Sequence, residues 1–337
     1  MSSLALDIGG ANLKAADGLG WARSVPFSLS SEPERLAAAL GEFIGSAPAS
    51  VRLAVTMTGE LCDSFRTKAE GVRAILKAIA AAAADREIVV YLVDGRLVSI
   101  DEASDRPLLA AASNWHALAQ FSCRFVGERA GLLIDVGSTT TDVVPIVGGR
   151  VAARGANDTD RLLAGELVYT GVGRTPLCAV THALPFRGAE CPVAAELFAT
   201  TADAYVVLGE LPERPEDMGT ADGRPLTRRY ARERLARMIC ADGATFDDRD
   251  AHCAAEAIRA LQLAQLRRAV EQVVLRMSVP PECFVVSGAG EFLAVQLAAE
   301  AQPHGRVISL TSEFGANISI CAPAHALAVL AREARGQ

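Results

Sequence analysis

The sequence predicts an α/β protein made of two related lobes around a central cleft, and three observations lead there. The turn Asp7-Ile8-Gly9-Gly10-Ala11-Asn12 is echoed by Asp135-Val136-Gly137-Ser138-Thr139-Thr140, each lying between two short apolar runs. Both copies read as strand, acidic residue, glycine turn and returning strand, so the chain carries an internal duplication. A third segment, Val285-Val286-Ser287-Gly288-Ala289-Gly290-Glu291-Phe292-Leu293, reads as strand, glycine turn and helix. Strands mixed with helices in two similar blocks make the two lobes.

The elements follow in order. The first strand runs through Leu4 to Leu6 and its echo through Leu132 to Ile134. Leu36, Leu40, Phe43 and Ile44 recur at helical spacing within 34–44, and 51–57 reads as a buried strand. Val72, Ile75, Leu76 and Ile79 mark one face of a helix leading into an alanine run that ends near Ala84, alanine being the best helix former. Strands over 88–93 and 96–100 meet at Asp94-Gly95, a two-residue hairpin signal. Pro107 starts a predicted helix carrying 108–121, with Asn114, Trp115 and His116 inside it; Trp115 reads as core. After the second hairpin, Gly148-Gly149 turns the chain into another strand. Charge, proline and glycine rise over 210–225, which reads as a surface loop placed like a lid. Leu266, Val270, Val273, Val274 and Met277 form one face of a long helix ending before Pro280-Pro281, and 324–334 closes the chain as a helix. With a return to the first lobe near 315–323, the lobes are expected at 1–128 plus 318–337 and at 129–317.

Composition narrows the function. With 337 residues, half of them hydrophobic, there is enough apolar surface for two ordinary domains. A net charge of −7 argues against broad attraction to nucleic acid or anionic membrane, so small-molecule partners are expected, with a homodimer left open. No run has the length of a membrane span and the first strand begins at Leu4, which points to a cytoplasmic protein. Eight scattered cysteines without a C-x-x-C pair read as reduced, mostly buried thiols. Cys240, His252 and Cys253 lack a fourth ligand at usable spacing and read as core cysteines beside a surface histidine.

The paired turns carry the chemistry. Glycine permits a tight turn and clears side chains from backbone N–H groups that can grip phosphate. Gly9, Gly10, Asn12, Gly137, Ser138, Thr139 and Thr140 are therefore the phosphate-binding candidates. A carboxylate repels phosphate but can hold Mg²⁺, which bridges one or two carboxylates and phosphate oxygens, so Asp7 and Asp135 are the candidate metal ligands. The competing reading is a turn carboxylate bonding its own backbone. Lys14 and Asp142 each stand seven residues after the leading aspartate. Lys14 suits phosphate, and Asp142 suits metal or a base; an exposed strand charge is the alternative for both.

In order and spacing, the three glycine segments resemble the two phosphate motifs and the adenosine motif of the actin, sugar-kinase and heat-shock-chaperone superfamily. That resemblance implies ribonuclease-H-like, actin-like ATPase lobes. Asp135-Val136-Gly137-Ser138-Thr139-Thr140-Thr141-Asp142 is closer to its hydantoinase A and oxoprolinase branch. Three further stretches resemble signatures of the branch linked to one-carbon transfer on tetrahydromethanopterin. They are Thr56-Met57-Thr58-Gly59-Glu60-Leu61-Cys62-Asp63-Ser64-Phe65 running on to Gly71-Val72, Ala112-Ser113-Asn114-Trp115, and Tyr169-Thr170-Gly171-Val172-Gly173-Arg174-Thr175-Pro176. The similarity runs over essentially the whole chain, including 220–225.

What this resemblance implies is a transferase of methanofuran biosynthesis. It would join an aminomethylfuran-methyl diphosphate to the phenol oxygen of a glutamylated tyramine or tyrosine compound, releasing diphosphate with Mg²⁺ or another divalent cation and without requiring ATP. Glu60 and Asp63 are then candidates for the base or for pairing the aminomethyl cation. Arg66 and Lys68 are candidates for diphosphate or the glutamyl carboxylates, with a solvated loop as the alternative. Arg174, among glycines, is the stronger anion-binding candidate. Gly288 and Gly290 are expected to contact the organic part of the substrate or to be structural. The competing functions are an ATP-dependent small-molecule kinase, an ATP-dependent hydrolase of the hydantoinase or oxoprolinase type, and a nucleotide-binding scaffold without catalysis.

Overall fold

A computed structural model describes residues 3–334 of the chain. Its first half is a six-stranded sheet. The strands are β1 (Ser3–Ile8), β2 (Asn12–Ala16), β3 (Ala22–Pro26), β4 (Arg52–Met57), β5 (Glu87–Tyr91) and β6 (Leu97–Val98), ordered β3-β2-β1-β4-β5-β6. The helices are α1 (Leu36–Gly45), α2 (Lys68–Ala82), α3 (Ile100–Asp105), α4 (Pro107–Ala110) and α5 (Asn114–Val126). Strand alternation sorts the side chains of β1. Leu4, Leu6 and Ile8 pack in the cluster that holds Leu36, Leu40, Ile75 and Ile79 of α1 and α2. Ala5, on the other face, meets the alanine-rich last helix, α13 (Ala322–Glu333), at Leu327, Ala328 and Ala331.

The second half repeats the plan. β7 (Ala130–Val136), β8 (Thr141–Val147), β9 (Arg150–Val151) and β10 (Leu167–Val168) combine with β13 (Cys283–Ser287) and β14 (Arg306–Ser309) in the order β10-β8-β7-β13-β14, with β9 beside β8. In both sheets the hairpin is antiparallel and the next two strands are parallel to its first strand. Registers match as well: Asp7 faces Lys14 across its hairpin, and Asp135 faces Asp142. Around this sheet lie α6 (Asp158–Ala164), the hairpin of β11 (Ala183–Phe186) and β12 (Ala189–Pro192), α7 (Thr201–Leu208), α8 (Arg228–Met238), α9 (Asp248–Val274), α10 (Glu291–Ala301), α11 (Leu310–Phe314) and α12 (Ala316–Ile320). Leu132, Ile134 and Val136 face α9 and α10, whereas Leu133, Val144 and Ile146 face α5 and α13. Helices α5 and α13 thus form a layer packed against both sheets.

Several expectations need correction. Ile100 begins a helix, because the Ser99 side chain accepts a hydrogen bond from Glu102 N and caps it, so β6 is only two residues long. The helix expected over 107–121 is two helices. Pro107 and Asn114 each start one, and Ala112 between them has φ 47°, a left-handed break that lets Ser113 Oγ donate to Tyr91 O. Helix α9 begins at Asp248, far ahead of the leucine and valine face seen in the sequence, because its first half packs through Ala251, Ala254 and Ala255. Met277 lies beyond its end. Cys240 and Cys253 are exposed, not core, and only Cys123, Cys283 and Cys321 among the cysteines are buried. No described helix is long and apolar enough to cross a membrane.

Candidate functional site

Both hairpin turns open into one cleft of about 400 Å³. In each turn the first glycine closes the loop: Gly9 N donates to Asn12 O at 3.0 Å and Gly137 N to Thr140 O at 2.9 Å. Those two N–H groups are therefore spent in closing the turns, although both glycines line the cleft. The N–H groups at the tips, on Gly10, Ala11, Ser138 and Thr139, have no partner among the described residues. Each tip is braced from behind. Leu29 N donates to Gly10 O, while Gly173 N and Arg174 N donate to Ser138 O. A Cβ on Gly171 would sit 2.4 Å from Gly137 O, so that glycine serves close backbone packing.

Strand register reveals a second equivalence between the halves. Thr56 pairs with Asp7 as Ser287 pairs with Asp135. Counting on from there, Gly59 matches Gly290 and Glu60 matches Glu291. The hydrogen bonds agree, since Gly59 N donates to Ile8 O at 3.0 Å and Gly290 N to Val136 O at 2.8 Å. Both loops lie tightly against their own hairpin. A Cβ on Gly290 would meet Val136 Cγ1 and Val172 Cγ1 at 2.5 Å, and one on Gly288 would meet Val136 O at 2.2 Å. Neither Gly288 nor Gly290 lines the cleft, so their place as substrate contacts is not supported; Gly288 N instead donates to Ser319 Oγ.

The cleft floor holds three buried aspartates and two cations. Burial pushes the Asp135 carboxyl up to about 7, helped by the charge of Asp142 and opposed by the Ser287 hydroxyl, which donates to Asp135 Oδ1 at 2.6 Å, and by Lys14. Burial also raises Asp7, against the pull of Lys14 and of the Asn114 side chain. Asp7 Oδ1 is buried without a hydrogen-bond partner among the described residues. Burial raises Asp142 too, but Arg161 Nη2 holds its Oδ1 at 2.8 Å. An arginine-paired carboxylate is a poor free base, which corrects that expectation for Asp142. Lys14 lines the cleft and donates to Ile320 O at 2.8 Å.

Other candidates separate. Asn12, Thr140, Asp63 and Arg174 line the cleft together with the turns. Lys68 does not; its ammonium is 2.7 Å from Asp158 Oδ2, a carboxylate of the opposite half at the cleft edge. Arg66 likewise stands outside the lining. Glu60 lies behind the wall, 1% exposed, with both carboxylate oxygens lacking a full hydrogen bond. Burial pushes it up to about 7, and the nearby N–H groups of Glu60 itself and Ala112 only partly offset this. Its counterpart Glu291 is saturated, accepting from Ser309, Thr311 and Ser319.

Sequence reasoning missed Arg161, Asp158 and Tyr169 in the cleft wall and gave Asn114 no role. Asn157 caps α6 through its side chain, a local signal for the helix. Nothing local announces that Arg161 is buried with its guanidinium 4.0 Å over the Trp115 ring. For a divalent cation the donor set is Asp7 and Asp135, with an orphaned buried oxygen on Asp7. Two carboxylates suit Mg²⁺ completed by phosphate oxygens and water. No cluster of three or more His, Cys, Asp or Glu placed to hold a metal occurs among the described residues.

Known proteins agree with this architecture. The chain is 31% identical over 330 residues, 97% of its own length and 96% of the relative's, to the 4-(4-(2-(gamma-L-glutamylamino)ethyl)phenoxymethyl)furan-2-yl methanamine synthase of Methanocaldococcus jannaschii. The synthase of the same name from Methanococcus vannielii is 30% identical over 209 residues, 60% of this chain and 91% of that one. Among solved structures, nucleotide-free acetone carboxylase superposes with a TM-score of 0.51 at 13% identity. The match covers 94% of this chain, which spans about half (51%) of that one, and it speaks for the fold alone. The hydantoinase/oxoprolinase family profile matches residues 52–334, from β4 to the last helix, and the chain belongs to that family.

Proposed function

We propose that the protein is an alkyltransferase of methanofuran biosynthesis. It condenses an aminomethylfuran-methyl diphosphate with the phenol oxygen of a γ-glutamyltyramine-like acceptor and releases diphosphate. The observation that carries this reading is the pair of opposed turns, whose four free N–H groups at Gly10, Ala11, Ser138 and Thr139 surround a cleft floored by Asp7 and Asp135. The two synthases similar over most of their length supply the substrate class. In the reaction a bond forms between the phenol oxygen and the furan methylene carbon, the bond from that carbon to diphosphate breaks, and the phenol proton leaves.

Each part has a residue. The tip N–H groups and Lys14 hold the leaving diphosphate, whose growing charge is the main obstacle. Asp7 and Asp135 would hold Mg²⁺, which neutralises phosphate oxygens when bound. The furan ring stabilises positive charge on its methylene, so the carbon–diphosphate bond breaks early and a weak base suffices. Of the two carboxylates proposed for that role, Asp63 lines the cleft and Glu60 does not, so Asp63 takes the phenol proton. Leu61 and Tyr169, both exposed at the same cleft, offer an apolar rim for the aromatic rings. Incubating the pure protein with the furan-methyl diphosphate, a tyramine derivative and Mg²⁺, without ATP, tests the proposal. Stoichiometric diphosphate and ether are expected; no product without nucleotide would return the site to an ATP-dependent reaction.

A further inference from the structure

The structure has a second, larger cavity between its halves, of about 770 Å³, within the range of roughly 300–1,000 Å³ usual for small-molecule sites. It joins the aspartate cleft at Ala11, Asn12, Ser138 and Arg174, which line both. Anything reaching from one space into the other passes the tips of both hairpins. Most charges of this chamber are already engaged: Arg35 with Glu32, and Arg214 with Asp217 at 3.2 Å. The Arg23 side chain, on β3, is in no ion pair among the described residues and donates there only to Ser46 Oγ at 3.3 Å. Ser46 lies one helical turn beyond Glu42, so Arg23 and Glu42 open from the same patch of wall. The Glu42 carboxylate has no side-chain partner among the described residues. Phe27 and Phe43 provide apolar wall beside them.

We infer that this chamber seats the acceptor's free amino-acid end, Arg23 taking its carboxylate and Glu42 its ammonium. The inference rests on the alkyl-transfer reading above. A γ-glutamyl amide uses the side-chain carbonyl for its bond, so an α-carboxylate and an α-ammonium remain side by side at the end remote from the phenol. Of the two chamber cations without an ion pair among the described residues, Arg174 stands at the junction with the diphosphate cleft, which leaves Arg23 and Glu42, one cation and one anion on adjacent wall, to match that zwitterion in sign and number. The phenol then points through the junction toward the aspartate cleft, where the diphosphate is held.

Calorimetry with γ-glutamyltyramine and with plain tyramine, each without donor, tests this on the whole protein and on Arg23→Met and Glu42→Gln. Both positions are exposed, and unchanged unfolding temperatures will verify the fold. Wild type is expected to bind γ-glutamyltyramine about tenfold or more tighter than tyramine, the worth of a charge-assisted contact. Each variant should lose most of that margin while holding tyramine within about twofold of wild type. Variants that keep the wild-type margin, or that lose both ligands equally, overturn the assignment. Because binding is read without turnover, the two ideas fail separately. Diphosphate release with no Arg23 dependence sinks the chamber and keeps the reaction. Arg23-dependent binding with no diphosphate release does the reverse.

Discussion

Replacing Glu60 with Gln should make the protein more stable at alkaline pH. Glu60 is 1% exposed, neither of its oxygens has a full partner, and the backbone of α2 crowds it so closely that a Cβ on Gly71 would lie 2.2 Å from Glu60 O. Burial raises its carboxyl from 4.5 to about 7. The folded protein therefore keeps this proton to about pH 7, whereas the unfolded chain releases it near 4.5. Between those values folding takes up a proton, so the stability owed to this group is full in acid and is lost as pH climbs. At about 1.4 kcal/mol per tenfold in acidity the whole loss is roughly 3 kcal/mol, of which roughly 2 falls between about pH 5 and about pH 8. The amide has the same shape and no charge to bury. Thermal or urea unfolding of both proteins at the two pH values reads the difference. Glu60→Gln should gain roughly 2 kcal/mol on wild type in going from about pH 5 to about pH 8, and Asp135, common to both, cancels. Parallel pH dependences would show that Glu60 is ionised and solvated in the folded state, contrary to its 1% exposure.

Four further outcomes follow from the cleft. Asp7→Asn and Asp135→Asn should each lower kcat on the order of 10²-fold or more, with the fold retained by circular dichroism; unaltered turnover in both moves the reaction elsewhere. Excess chelator should abolish diphosphate release and added Mg²⁺ restore it, and full activity in chelator refutes the metal assignment. Since Asp135 must be ionised to hold a cation and burial puts it at about 7, kcat/KM should rise as pH climbs through that value. A flat profile from acid to alkali contradicts it. ATP should be neither required nor converted to ADP in step with product, because the Gly288 loop lies outside the cleft. Ether formation that stops when nucleotide is removed shows the opposite.

The duplicated turns were legible because a glycine hairpin beside an aspartate is a local event, written in six consecutive residues. The strands after them were legible for a similar reason, each being a short apolar run. The equivalence of 56–60 with 287–291 was not, since the two stretches share little beyond a glycine followed by glutamate, and only pairing with Asp7 and Asp135 aligns them. Helix α9 lost its first half to alanines, which pack well but barely register as an apolar stripe. In the site, sequence indicated which residue types gather and not who neutralises whom. Asp142 read as available because its partner Arg161 comes from a helix nineteen residues on. Glu60 read as a cleft residue because Leu61, Cys62 and Asp63 beside it are, yet its own side chain turns inward.

The pair of Lys68 and Asp158 bears on how the two halves part. Asp158 stands at the start of α6, where a negative charge suits the helix dipole, but Lys68 stands at the start of α2, where a positive one does not. Lys68 is placed against the preference of its own helix, and the compensation lies across the cleft edge. Opening the molecule along that edge must separate two partly exposed charges, worth about 0.2–1 kcal/mol. That biases closed over open by a factor of only about 1.4 to 5. That pair alone therefore holds the edge only weakly, and a ligand gripped by turns from both sides would add far more to closure than Lys68 and Asp158 do.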